Sequence, residues 1–290
     1  MKQKLTKGIA AVILGGGALL VFARAHRAPK PIDSSALVSA LEHAKQPAAA
    51  STRLKQAGVA GDRCNYAEVA SRELLDADLA SLVQGVLNAA PPDCPHAATL
   101  LGQRAEAFAR AGSKDEAEQT AQTALKAGPQ NAFAQLALAR VAYDKNQMGS
   151  CADYAQKALD YGRGAEAERL LGRSTLARGQ FKEAEAHYQK VLSANPNDAE
   201  AAFSAAICDD NLGRYMQARE GFLQTLRIDP KHEEARKYLV ILTYKAGAKD
   251  EARHHLQKYA ELVPKDSATL AALERVVSGG DASSGTPDKP

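Results

Sequence analysis

The sequence predicts an all-α chain built from a repeated helix pair, and three observations carry that prediction. The first is composition: 45% of residues are hydrophobic and 24% charged, yet only 5% are aromatic and tryptophan is absent. Alanine, leucine and valine must therefore build the core, which suits close helix packing better than a β-sandwich rich in β-branched and aromatic residues. The second is self-similarity with a period near 34 residues, in units 98–131, 132–164, 165–198, 199–232 and 233–266. The third is recurrent punctuation. Gly112, Gly179, Gly213 and Gly247 fall between two predicted helices, where a tight turn needs positive φ, and Asn146 takes that place in the second unit. Pro129, Pro196, Pro230 and Pro264 close units, while the second ends in a glycine turn at Gly162 and Gly164.

Taken in chain order, the first element is residues 1–30. Lys2, Lys4 and Lys7 precede the apolar run "IAAVILGGGALLVF" (9–22), followed by Ala23, Arg24 and Ala25. That layout predicts a signal peptide or a membrane anchor. Gly8 to Ala23 as a helix would reach roughly 24 Å against a hydrocarbon core of about 30 Å, with Lys7 and Arg24 snorkelling to cover the difference. Either reading sends the rest of the chain across a membrane. Residues 31–61 read as a linker with a weak helix from Ser35 to Lys45. Residues 62–97 read as a degenerate helical repeat or N-terminal cap, 267–277 as a capping helix and 278–290 as a disordered tail.

Within the units, small residues recur at two places. Ala105, Ala139, Gly172, Ala206 and Val240 share one place in the first helix; Ala117, Cys151, Ala184, Ala218 and Ala252 share one in the second. Small side chains at both let the two helices approach closely. The unit "AEAERLLGRSTLARGQFKEAEAHYQKVLSANPND" carries Leu171-Gly172, Gly179, Phe181, Ala184, Tyr188 and Pro196. In these residues it resembles the tetratricopeptide repeat, and the resemblance extends over 98–266. It is weaker in the first unit, where Arg104 stands in place of leucine, and in the second. The resemblance implies a right-handed superhelical solenoid of antiparallel helix pairs. With the N-terminal segment, it also implies a bacterial envelope member of the family, periplasmic or anchored in the inner membrane facing the periplasm.

The resemblance further implies that the first helices of successive units line a concave groove that binds peptides or extended segments. The groove-facing places are held by Arg140, Tyr143, Arg169, Arg173, Phe203, Ile207, Asp210, Asn211, Lys237, Ile241 and Tyr244, with Glu166 among them. Arg169 and Arg173 are four apart and share a helix face. With Arg140 and Lys237 they form a basic strip suited to a carboxylate, unless Glu166 pairs with Arg169 and leaves ordinary solvated surface.

Cys64 and Cys94 each stand in a turn before a helix. A structural disulfide, two free thiols, or a metal or small-ligand site that adds His96 are the readings, the last lacking a convincing fourth ligand. Cys151 and Cys208 lie inside repeats and read as buried thiols. His254 and His255 are adjacent on one helix and point about 100° apart, and His187 reads as surface. Carboxylates are expected on solvent faces beside lysines and arginines. No phosphate loop, serine elbow or HExxH pattern occurs, and a net charge of +3 argues against nucleic acid. The expected function is a non-enzymatic scaffold without a cofactor, holding a protein partner by an extended, acidic segment.

Overall fold

A computed structural model describes residues 34–44, 48–59, 62–264 and 267–278. Among them the chain forms fifteen α-helices. The cap comprises α1 (Ser34–His43), α2 (Ala48–Val59), α3 (Arg63–Asp76) and α4 (Ala80–Asn88). Five hairpins follow: α5 (Ala97–Arg110) with α6 (Lys114–Ala127), α7 (Ala132–Asp144) with α8 (Met148–Asp160), α9 (Gly164–Ala177) with α10 (Phe181–Ala194), α11 (Ala199–Asn211) with α12 (Tyr215–Ile228), and α13 (Glu233–Lys245) with α14 (Lys249–Ala260). The helix α15 (Ala268–Ser278) closes the far end. Helix pairs stack in order into a right-handed superhelical solenoid.

The turns form for the reasons legible in the residues. Gly112, Gly179, Gly213 and Gly247 adopt φ of 78°, 74°, 75° and 81°, and Asn146 adopts 57°. At each, the next residue's N–H reaches back into the helix just ended, as Gln180 does to the Thr175 carbonyl at 2.9 Å. This satisfies carbonyls that a helix end leaves open. Second-helix small residues Ala117, Cys151, Ala184, Ala218 and Ala252 are wholly buried where each hairpin closes.

The first helices α7, α11 and α13 are capped by the residue that ends the preceding unit. Asn131 accepts from the Ala134 N–H at 3.0 Å, Asp198 from that of Ala201 at 2.9 Å, and His232 Nδ1 from that of Ala235 at 3.2 Å. Asn131 also donates to the Ala98 carbonyl at 2.5 Å, lying flat across Gly102. A Cβ at Gly102 would sit 2.1 Å from Asn131 Oδ1. Gly102→Ala is therefore expected to expel the Asn131 side chain and lose about 1–2 kcal/mol in urea melts, through a lost cap and hydrogen bond. Adding Asn131→Ala to it should lose little more, because both changes remove the same contacts; full additivity would refute this account.

Three expectations are corrected here. The alanine-rich stretch read as linker is the helix α2, and with α1 it completes the cap core: Leu37, Leu41 and Leu54 pack with Leu74, Leu75 and Val83. The apolar run 9–22 lies outside the described residues, and among the described residues no helix is long and apolar enough to cross a membrane. Among the described residues the solenoid is finished at this end by α1 and α2. Membrane anchoring, the membrane as a partner and the envelope location are accordingly withdrawn. Third, not all carboxylates are solvated, since Glu73, Glu106 and Glu168 are buried.

The array is not uniform along its length. Helices α3, α5 and α7 pack directly on one another, so first helices are in contact at the N-terminal end. Further along, α9, α11 and α13 are joined chiefly through α10 and α12. The concave face is thus closed at one end and splayed at the other.

Candidate functional site: the concave groove

In the closed half the groove is lined by ions that neutralise one another. Glu106 of α5 is wholly buried, and its Oε1 accepts from Arg110 Nε at 2.8 Å and Arg140 Nε at 2.9 Å. Arg110 continues to Asp78 at 2.9 Å, beyond the end of α3, and Arg140 continues to Glu166 of α9. Glu166 meets Arg169 at 3.5 Å, and Arg169 binds both oxygens of Asp198 at 3.1 and 2.6 Å. Burial pulls the Arg140 guanidinium below the ordinary arginine value, Glu106 opposes this, and the neighbouring Arg110 and Arg173 cations reinforce it. Beside this chain Arg163 lies over the Phe133 ring at 4.6 Å and reaches Asp76 of α3 at 2.7 Å.

The expected basic strip is therefore divided by the structure. Arg140 and Arg169 are committed to carboxylates, and Lys237 pairs with Glu234 on its own helix while lying 5.7 Å from the Tyr238 ring centre. Among the described residues Arg173 alone of the four has no carboxylate partner; its guanidinium lies 6.0 Å from the Tyr143 ring centre. Asp198 shows how firmly these pairs hold. Burial alone would raise its carboxyl, but the Arg169 hydrogen bonds and the Ala201 N–H hold it below the usual aspartate value. The depressed value places this stabilisation above the unfolded-state value near pH 4, with loss as pH falls through the folded one. Asp198→Asn, which can keep the helix cap, is expected to lose about 1–3 kcal/mol at pH 7 and to converge on the parent stability below about pH 3 in urea titrations.

In the splayed half the lining changes character. Ile207 and Ile241 hold the unit position that Glu106, Arg140 and Arg173 hold earlier, and all are half-buried or buried. Phe203 stacks 4.7 Å from His232 and 5.8 Å from Tyr238, fixing an aromatic floor between α11 and α13. Tyr244 and Ile241 rest against the core beneath α15. The Asp210 carboxylate has no hydrogen bond or ion pair among the described residues; burial raises it, with Lys245 opposing. Asn211 is turned back onto its own helix, donating to the Ile207 carbonyl at 2.8 Å.

Several groups lie elsewhere. Cys64 and Cys94 are joined by a disulfide with Cα atoms 5.4 Å apart, which overturns the metal or small-ligand reading because neither sulfur is left as a thiolate ligand. His96 is exposed, 3.9 Å from Glu68. His187, expected on the surface, is largely buried with Nδ1 2.6 Å from the buried Glu168, which also binds Lys190 at 2.9 Å. Cys151 and Cys208 are buried free thiols, pushed by desolvation to about 11 and about 12, and so are poor nucleophiles. Among the described residues no group of three or more His, Cys, Asp or Glu is placed to hold a metal ion.

The groove ions missed by sequence reasoning are Asp78, Glu106, Arg110 and Asp198. For Glu106 a signal existed: it is one period before Arg140, so opposite charges at matching places of adjacent units predict the contact.

Comparison with known proteins agrees with this architecture. Family models described as tetratricopeptide repeat match residues 67–132, 103–168 and 210–267, and a second matches 175–227. A general transcriptional corepressor, ssn6, of Schizosaccharomyces pombe is 27% identical over 161 residues, covering 51% of this chain and 14% of that protein. The inactive TPR repeat-containing thioredoxin TTL3 of Arabidopsis thaliana is 27% identical over 108 residues, covering 37% of this chain and 16% of that protein. The chain thus spans about a seventh of the length of the curated relatives it matches. Among solved structures, PilF of Pseudomonas aeruginosa superposes with a TM-score of 0.61 at 16% identity, covering 74% of this chain and 97% of that one. YrrB, described as a TPR protein with an unusual peptide-binding site, gives 0.52 at 23% identity, covering 61% and 92%. At these identities the structures share a fold. Relatives from fission yeast and a plant give no support to an envelope location. The tetratricopeptide-repeat matches support a protein–protein interaction module in general terms. With models covering most of residues 67–267, the chain belongs to the tetratricopeptide-repeat family.

Proposed function

We propose that the protein holds a partner protein by an extended segment laid in the splayed half of the concave groove, against Phe203, Ile207, Ile241 and Tyr244. The observation that carries this is the contrast between the two halves. Near α5 and α7 the groove is filled by its own ion pairs, and a ligand there would have to displace buried, hydrogen-bonded charges. Near α11 and α13 the lining is apolar and aromatic, and the first helices stand apart. Aromatic and aliphatic anchors in such a place supply most of the energy of an interface. That YrrB is described as having a peptide-binding site agrees with this use of the fold.

The test is crosslinking of the full chain in its native extract, followed by identification of captured proteins. Ile207→Glu combined with Ile241→Glu is expected to abolish most specific capture; because both side chains are half-buried against the core, melting should fall, and capture is scored at a temperature where circular dichroism shows the variant folded. The control is Tyr215→Ser with Met216→Ser, at the exposed apolar start of α12. It should leave capture unchanged. An unchanged partner list after the paired glutamates, or loss with the control pair, would sink the groove reading.

A further inference from the structure

We infer that the captured segment carries one acidic and one basic residue on either side of an apolar one, read by Arg173 and Asp210 with Ile207 between them. This rests on the groove reading above and adds the chemistry of the partner. The other groove ions on these helices are consumed internally: Arg140 by Glu106 and Glu166, Arg169 by Asp198, and Lys237 by Glu234. Among the described residues Arg173 and Asp210 have no ion pair, and they stand on successive first helices at positions that the repeat register assigns to the groove.

Each has a reason to remain available. Asp198, an acid whose carboxyl feels the Arg173 charge, is already clamped by both terminal nitrogens of Arg169. On its other side Arg173 meets Arg140, a like charge, and the face of Tyr143, which orients a guanidinium without neutralising it. Asp210 is half-buried among Tyr238 and the α11 and α13 surfaces, with only Lys245 near enough to favour its ionised form. An incompletely hydrated carboxylate gains more from an arriving cation than an exposed one does. Ile207 holds the unit position equivalent to Arg173, one turn before Asp210, so an apolar contact separates the two charges.

Geometry limits the spacing of the partner's charges. Helices α9 and α11 do not pack directly on each other, so their axes lie further apart than the roughly 8–10 Å of packed helices, and the offset from position 207 to 210 adds about 4.5 Å along the axis. An extended segment advances about 3.3 Å per residue, so an acid and a base at least about four residues apart span the pair.

The experiment uses the full chain and a library of synthetic ten-residue peptides. Each has a central leucine and acid, base or neutral residues at flanking positions. The parent should enrich peptides bearing both signs at that spacing, with about tenfold weaker binding when either charge is neutralised. Arg173→Glu should replace the selected acid by a second base, and Asp210→Lys should replace the selected base by a second acid. Selection that follows the sign at each position supports the assignment. Peptides selected equally by parent and both variants overturn it, and if those peptides are still lost with Ile207→Glu, the groove reading survives. Peptides bound independently of Ile207 overturn both.

Discussion

Glu106→Gln is expected to lose about 3–5 kcal/mol of stability in urea denaturation, the largest effect of any single substitution proposed for the array. Glu106 is wholly buried and serves two guanidinium groups through one oxygen. Removing its charge takes from Arg110 and Arg140 the buried carboxylate they share, leaving them only Asp78 and Glu166 at the edges of the cluster, and burial already works against the Arg140 charge. The expected loss comes chiefly from the stranded cations and not from the net worth of the original pairs. A second variant separates those contributions. Replacing Glu106, Arg110 and Arg140 together by leucine removes the stranded charges, and Glu166 keeps Arg169. That triple variant should recover most of the loss, because a buried ion cluster replaced by apolar residues of similar volume is often neutral. A triple variant as unstable as the single one would show that packing at α5 and α7, and not charge, sets the cost.

This cluster also marks where sequence reasoning ends. The hairpins, their turns and the small residues at their crossings were legible because each follows from backbone geometry or helix approach and recurs once per unit. Gly179 needs positive φ wherever it stands, and Ala184 must be small whichever neighbour it meets. Arg163 pairing with Asp76 was not legible, since it joins residues 87 apart through the curvature of the superhelix. The groove positions were read from the repeat register, but their state was not. Whether an arginine is free depends on a carboxylate one unit away, so Arg169 and Arg173 look alike in sequence and differ in the fold. The reading of Ala48–Val59 as linker failed differently: its apolar positions are too few to signal a helix without the cap core that Leu54 enters.

Reduction of the Cys64–Cys94 bond is expected to melt the cap while the repeats stay folded. The bond closes a loop of 30 residues, which in the chain-entropy model contributes about 3–4 kcal/mol. Cap and array are stacked rather than fused, and in such arrays stability is close to a sum of unit and nearest-neighbour terms. What holds the cap beyond the disulfide is its own leucine core, which reaches Ala107 and Phe133, together with Gln103 donating to the Glu68 carbonyl at 2.9 Å and the Asp76 and Asp78 ion pairs. The ion pairs have exposed acid partners and contribute little each, so the disulfide is the largest single tie. Hydrogen exchange should show amides of α1–α4 losing protection in dithiothreitol, with those of α9–α14 retaining it, and Cys64→Ser with Cys94→Ser should reproduce the pattern without reductant. A chelator should have no such effect. Because Ile207 and Ile241 lie far along the solenoid from this bond, capture of the partner should survive reduction. Simultaneous loss of protection throughout the chain would instead mean that cap and repeats fold as one cooperative body, with the disulfide stabilising the whole array.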